Sequence, residues 1–133
     1  MEIYKNWLSE NGVKYEEKDY GLTFKYQGGY FIIGNNEKDE QYFNIVMPGI
    51  FDFADHPEVD RLKVLEALNK INADYKVVKA VCDNEDCWLT TEIFIDSTPD
   101  VEDYFERLLN ILHQSRMEFF QICLLYTSPS PRD

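Results

Sequence analysis

Basic residues are scarce in this chain of 133 residues. Thirteen Lys and Arg stand against 25 Asp and Glu, for a net charge of −12. A phosphate backbone or an anionic bilayer repels such a chain, which argues against nucleic acid and membrane as main partners. Long apolar runs are missing as well. No stretch approaches the ~18 residues a spanning helix needs. The opening MEIYKNWLSENG has no basic segment ahead of an apolar one, so it does not read as a secretory signal. A cytoplasmic location is therefore expected, with the three cysteines as reduced thiols. Catalytic signatures are lacking too. No Ser or Cys can be set beside a base as a nucleophile, and the carboxylates are too numerous and dispersed for one pair to stand out as acid and base. Gly28-Gly29 lacks the surroundings of a phosphate-binding loop and reads as a turn. The expectation is a protein that is not an enzyme and carries no cofactor and no metal.

What the chain does contain is organised around residues 55–72, DHPEVDRLKVLEALNKIN. Asp55 and Glu58 have the spacing of a capping box, and Pro57 falls where a first helical turn tolerates it. Val59, Leu62, Val64, Leu65, Leu68 and Ile71 recur mostly at three and four, which predicts one buried stripe. Charged residues fill the other side, with Glu66 and Lys70 in the favourable i, i+4 order.

On either side of this helix the patterns alternate between periods. Residues 2–11 predict a short helix ended by Asn11-Gly12. Residues 13–18 predict a charged edge strand. Residues 22–27 alternate, with Leu22, Phe24 and Tyr26 on one face, and Gly28-Gly29 suits a tight hairpin turn into a central strand over 30–34. Residues 41–47 predict another strand, ended by Pro48-Gly49 and followed by an apolar linker through Ile50, Phe51 and Phe53. Strands over 75–82 and 87–95 flank a turn at residues 83–86. Ser97 or Thr98 then caps a last helix with the stripe Val101, Tyr104, Phe105, Leu108, Leu109 and Leu112, which continues to Phe120. The order α, β meander, α, β hairpin, α predicts an α+β domain: an antiparallel-rich sheet with helices packed on one face.

Three features invite a functional reading. Cys82 and Cys87 bracket the hairpin tip as CDNEDC. They are small strand residues, a redox-sensitive pair within disulfide reach, or part of a metal site, and the last lacks the usual four ligands. His56 reads as an exposed residue at a helix start, and His113 as a ring stabilised by a helix C-terminus. If Val78, Ala80, Leu89, Ile93 and Ile95 face the helices, the other side of the hairpin shows Tyr75, Val77, Val81, Trp88 and Phe94. A sheet face open to water should be more polar than that. Either the N-terminal helix or an extra strand covers it, or these five residues are a partner surface or a dimer contact.

Composition changes abruptly at residue 123. The string CLLYTSPSPRD, residues 123–133, matches the translation of a transposon-type sequencing adapter over eleven consecutive residues. It is read as a non-native tail behind a domain of residues 1–122, with the natural terminus lying beyond Gln121.

The element order, the segment FKYQGGYFIIGNNE from Phe24 to Glu37, and ALNKINADYKVVKAV from Ala67 to Val81 resemble bacterial YbjN-domain proteins. The step N-x-x-N-A, Asn69 to Ala73, carries most of the likeness. That family bears the label of sensory transduction regulators and shares the type III secretion chaperone-like fold. It supplies no catalytic residues to carry over. The resemblance implies a protein-binding α+β module, often dimeric. The expected function is thus a non-enzymatic, chaperone-like or regulatory module that holds a protein partner on an apolar sheet face. A homodimer without a client and a small-ligand binder or enzyme are the alternatives.

Overall fold

The structure, a computed structural model, describes residues 1–96 and 99–127. The expected cap at Ser97 or Thr98 lies outside the described residues. Three helices, α1 (Glu2–Glu10), α2 (Arg61–Asp74) and α3 (Val101–Thr127), lie on one side of a six-stranded antiparallel sheet. The strands are β1 (Tyr15–Lys18), β2 (Gly21–Tyr26), β3 (Gly29–Gly34), β4 (Tyr42–Asp52), β5 (Val78–Asp83) and β6 (Asp86–Phe94), in spatial order β1-β2-β3-β4-β6-β5. The α+β class and the one-sided placement of the helices follow the sequence reading.

Alternation sets the two sides of the sheet. Leu22 and Phe24 on β2, Phe31 and Ile33 on β3, Phe43, Ile45 and Met47 on β4, and Cys87 and Leu89 on β6 are all buried beneath the helices. Phe105 of α3 sits among them. Its ring lies 5.3 Å from Tyr4, 4.9 Å from Trp7, 6.3 Å from Phe24 and 6.4 Å from Phe43. One side chain thus joins α1, β2, β4 and α3. Tyr4 also stacks on Phe43 at 4.6 Å, and its hydroxyl shares a 2.7 Å hydrogen bond with that of Tyr104. Burial is the main cause that holds the Tyr4 phenol far above its ordinary range.

Four expectations are corrected. The central helix starts at Arg61, not Asp55. Phe53–Asp55 form a short 3-10 turn in which Asp52 Oδ1 accepts the Ala54 N–H at 2.8 Å. Pro57 disfavours helical geometry at His56, which has ψ 62°. Asp60 is the true cap, accepting from the Leu62 N–H at 3.0 Å. The buried stripe is consequently Val64, Ala67, Leu68 and Ile71, while Leu62 is 60% exposed and Leu65 is exposed. At 100° per residue Leu62 points about 200° away from Val64.

The second correction concerns the first hairpin, which turns on Gln27 and Gly28 at φ 49° and 81°, with Gly29 already paired to Tyr26. Both turn residues need positive φ to match strand twist, and Gln27 tolerates it. In the third, Pro48-Gly49 does not end β4. The strand runs on to Asp52, and its register against β6 jumps from Met47↔Leu89 to Phe51↔Cys87. Pro48, Gly49 (φ 59°) and Ile50 form a bulge opposite Trp88. A residue without an N–H belongs at such a bulge as readily as at a strand end.

The last correction concerns α3, which continues past Phe120 to Thr127, so it crosses the composition change at residue 123 without a break. His113 is therefore mid-helix rather than at a helix C-terminus, and its Nδ1 is buried without a hydrogen-bond partner. Cys123 is buried against the core.

Phe105→Ala should lower unfolding free energy by about 3–5 kcal/mol, the range for emptying a buried aromatic site. Leu62→Ala, on the wet flank of α2, should stay within about 0.5 kcal/mol. Urea denaturation of the two variants checks both.

Candidate functional site

All three helices choose the same side, so the other face of the sheet has no helix over it among the described residues. α1 does not cover it: Trp7 packs at 6.0 Å on Tyr26, and Lys5 bridges Glu17 at 2.7 Å, both on the helix side. Strand register orders the open face in rows. One row runs Glu16, Thr23, Ile32, Val46, Thr90, Lys79 across all six strands. The next holds Lys25 and Tyr30 on one side of the β4 bulge and Trp88 and Val81 on the other. At the opposite end Tyr42 pairs with Phe94, ring to ring at 6.4 Å, and Phe94 is 80% exposed. Ile32, Val46, Trp88 and Val81 are half-buried by their neighbours alone.

The five residues singled out from sequence divide. Val81 and Trp88 are directly opposed across β5 and β6 on the open face, and Phe94 lies farther along β6 on that same face. Tyr75 does not join them. It closes α2 and packs against the core on the helix side, its hydroxyl donating to the Gln114 carbonyl at 3.5 Å. A strand pattern over 75–82 put it on the open face, but the strand begins three residues later, at Val78. Val77 lies in the link between α2 and β5, 47% exposed and at φ 58°. Left-handed geometry at a β-branched residue is strained by about 1–2 kcal/mol.

The sequence reading missed the other half of the face. Tyr30 and Ile32 were assigned to a strand without a side being argued for them, because β3 is apolar on both faces, and Val46, set opposite Phe43, Ile45 and Met47 on its own strand, was not joined to a surface. It also missed the acidic border. Asp52 pairs with Asp86, and Asp86 with Asp83, so three carboxylates line up across β4, β6 and β5 at the hairpin end. Within the face the charges are balanced instead: Lys79 bridges Glu92 at 3.2 Å and Lys18 bridges Glu16 at 2.9 Å.

The edge strand β5 is capped at one residue. Asn72 of α2 accepts the Ala80 N–H at 2.7 Å and donates to the Ala80 carbonyl at 3.0 Å. Those are the backbone groups that β5 turns away from β6, so one side chain takes the place of a missing strand. Asn72 is the second Asn of the N-x-x-N-A step, which gives that pattern a physical role.

His56 stacks on Phe51 at 4.9 Å and lies 3.8 Å from Glu58 Oε1. Among the described residues no three His, Cys, Asp or Glu side chains are grouped to hold a metal ion. Also among them, no helix is long and apolar enough to cross a membrane.

Comparison with known proteins adds the fold's context. No family model matches the chain, and no curated protein matches it. Solved structures do. An uncharacterized protein from Methanothermobacter thermautotrophicus superposes with a TM-score of 0.66 at 16% identity, over 94% of this chain and 97% of that one. YbjN from E. coli, described as a candidate transcription regulator, gives 0.58 at 17% identity over 90% and 88%. A chain of the heterodimeric ExoU–SpcU complex from the type III secretion system of Pseudomonas aeruginosa gives 0.56 at 21% identity over 93% and 98%. The fold is YbjN-like. At these identities the likeness concerns architecture alone.

Two substitutions test the local geometry. Val77→Gly should raise stability by about 1 kcal/mol by relieving left-handed strain. Asn72→Ala should lower it by about 1–3 kcal/mol by leaving Ala80 unpaired. Thermal melts of both report the signs.

Proposed function

We propose that this chain is a non-enzymatic protein-binding module, chaperone-like or regulatory, which takes its partner on the open face of the sheet. The observation that carries the reading is the pairing of a one-sided helix layer with an uncovered apolar strip among the polar residues of the opposite face. Tyr30, Ile32, Val46, Trp88 and Val81 would be sealed from water by a partner, with Trp88 as the central anchor. Aromatic anchors in the middle of a contact surface carry most binding energy where they sit. The bulge of β4 beside Trp88 supports the same choice, since bulges gather where a side chain is presented. The row Asp52, Asp86, Asp83 and the net charge of −12 favour a partner segment that combines apolar residues with Lys or Arg. The match to a chain from a two-protein secretion complex agrees with a binding role. The same net charge works against a second copy of the chain as the occupant.

The full chain is immobilised and a partner taken from the native host is titrated onto it. Trp88→Ala/Phe94→Ala should weaken binding by tenfold or more, on the order of a hot-spot loss, while Leu62→Ala on the helix side should not. A partner retained by the double variant, or lost on Leu62→Ala, would refute the open face as the site. Light scattering that shows a dimer broken by the double variant would favour self-association instead.

A further inference from the structure

The hairpin of β5 and β6 carries a second feature, on the side opposite Trp88. Its turn is the two residues Asn84 and Glu85, with Asn84 at φ 58° and Asp83 paired to Asp86. A two-residue turn makes the closing pair the hydrogen-bonded one. The next rung, Cys82↔Cys87, is then a non-hydrogen-bonded pair, the rung type in which Cα atoms approach to about 4.5 Å and side chains lie closest. That separation falls at the short end of the span a disulfide bridges. Both are free thiols, set directly opposite one another.

Their surroundings differ in a useful way. Cys82 is half-buried, on the edge strand, with its Sγ 3.7 Å from the Asn84 carbonyl. Cys87 is fully buried and pairs with Phe51 on β4. Burial, then the neighbouring Cys82, raises the Cys87 thiol well above its ordinary range. One sulfur is reachable and the other waits behind it. The tip is tied to its neighbours. Arg61 reaches the Asn84 carbonyl at 3.0 Å and Glu85 Oε1 at 2.8 Å, and the Phe53 N–H donates to the Glu85 carbonyl at 2.8 Å.

We infer that Cys82 and Cys87 are a reversible dithiol site, oxidised to a cross-strand disulfide by a small-molecule disulfide of the glutathione type. The Cys82 thiolate attacks one sulfur of the oxidant, forming a mixed disulfide and releasing one glutathione thiolate. Cys87 then gives up its proton and attacks Cys82 Sγ. The mixed disulfide breaks, and the second glutathione leaves as a thiolate that takes the proton. Two protein thiols are oxidised, and one glutathione disulfide is reduced to two glutathiones. The inference rests on the hairpin alone and is independent of the open-face reading. The new bond would fix the rung beside Val81 and Trp88, on the other side of the same strands.

The full chain, folded as judged by circular dichroism, is incubated with oxidised glutathione and analysed by intact mass and peptide mapping. One intramolecular bond linking the Cys82 and Cys87 peptides is expected, with the loss of two hydrogens, full reversal by dithiothreitol and an unlinked Cys123. Cys123→Ser should give the same bond. Cys87→Ser should accumulate a glutathione adduct at Cys82 at least about tenfold faster than Cys82→Ser does at Cys87, because only the exposed thiol is open to attack. A bond from Cys87 to Cys123, an adduct at Cys82 in the parent chain that never closes, equal adduct rates in the two variants, or a bond that forms only in denaturant would each overturn the inference.

Discussion

The arrangement depends on a packing constraint centred on Phe105. Its ring is shared by the first helix, two strands that are not neighbours, and the last helix, so those four elements cannot be moved independently. Tyr4, Trp7, Phe24 and Phe43 present their rings to it from one side of the sheet, where interiors tolerate few voids. With α1 and α3 committed to that side, and α2 burying Val64, Ala67, Leu68 and Ile71 in the same core, no helix among the described residues is left for the other. The open face is thus a consequence of where the aromatics are concentrated.

How much of this was legible depended on whether the deciding interaction was local. The stripe of α3, with Phe105, Leu108, Leu109 and Leu112 buried, follows from spacing alone. So does the edge position of β1, whose Tyr-Glu-Glu-Lys sequence suits a strand with one free side. The start of α2 was not legible, because Asp55 and Asp60 are equally good caps on paper. What decides between them is Phe53, buried and held by a carbonyl more than thirty residues away. The bulge in β4 was hidden for a similar reason. Pro-Gly ends a strand when nothing opposes it, and here β6 resumes pairing on the far side.

The open face was half legible. Val81, Trp88 and Phe94 could be placed by alternation within one hairpin, whereas Tyr75 required knowledge of where the helix stops. The contribution of β3 was invisible because a strand apolar on both faces gives no side to prefer. The row of Asp52, Asp86 and Asp83 depended on a strand pairing across the sheet, and no local pattern encodes it. Like charges set directly opposite one another are unfavourable in isolation. They lie beside the uncovered apolar strip, where the proposed binding role would give them a use in selecting a partner.

Asn72 limits the ways in which this protein can be approached. By answering the outward N–H and carbonyl of Ala80 it leaves β5 without its full template for strand addition, and β1 at the far margin is a four-residue strand set with ion pairs, Glu16 with Lys18 and Glu17 with Lys5. An extended peptide seeking to lengthen the sheet therefore finds one rim interrupted at Ala80 and the other only four residues long and charged. Under the proposed binding role, a partner would meet the flat of the sheet, where side-chain shape rather than backbone pairing sets the terms, and a capped rim is also a poorer template for molecules stacking edge to edge.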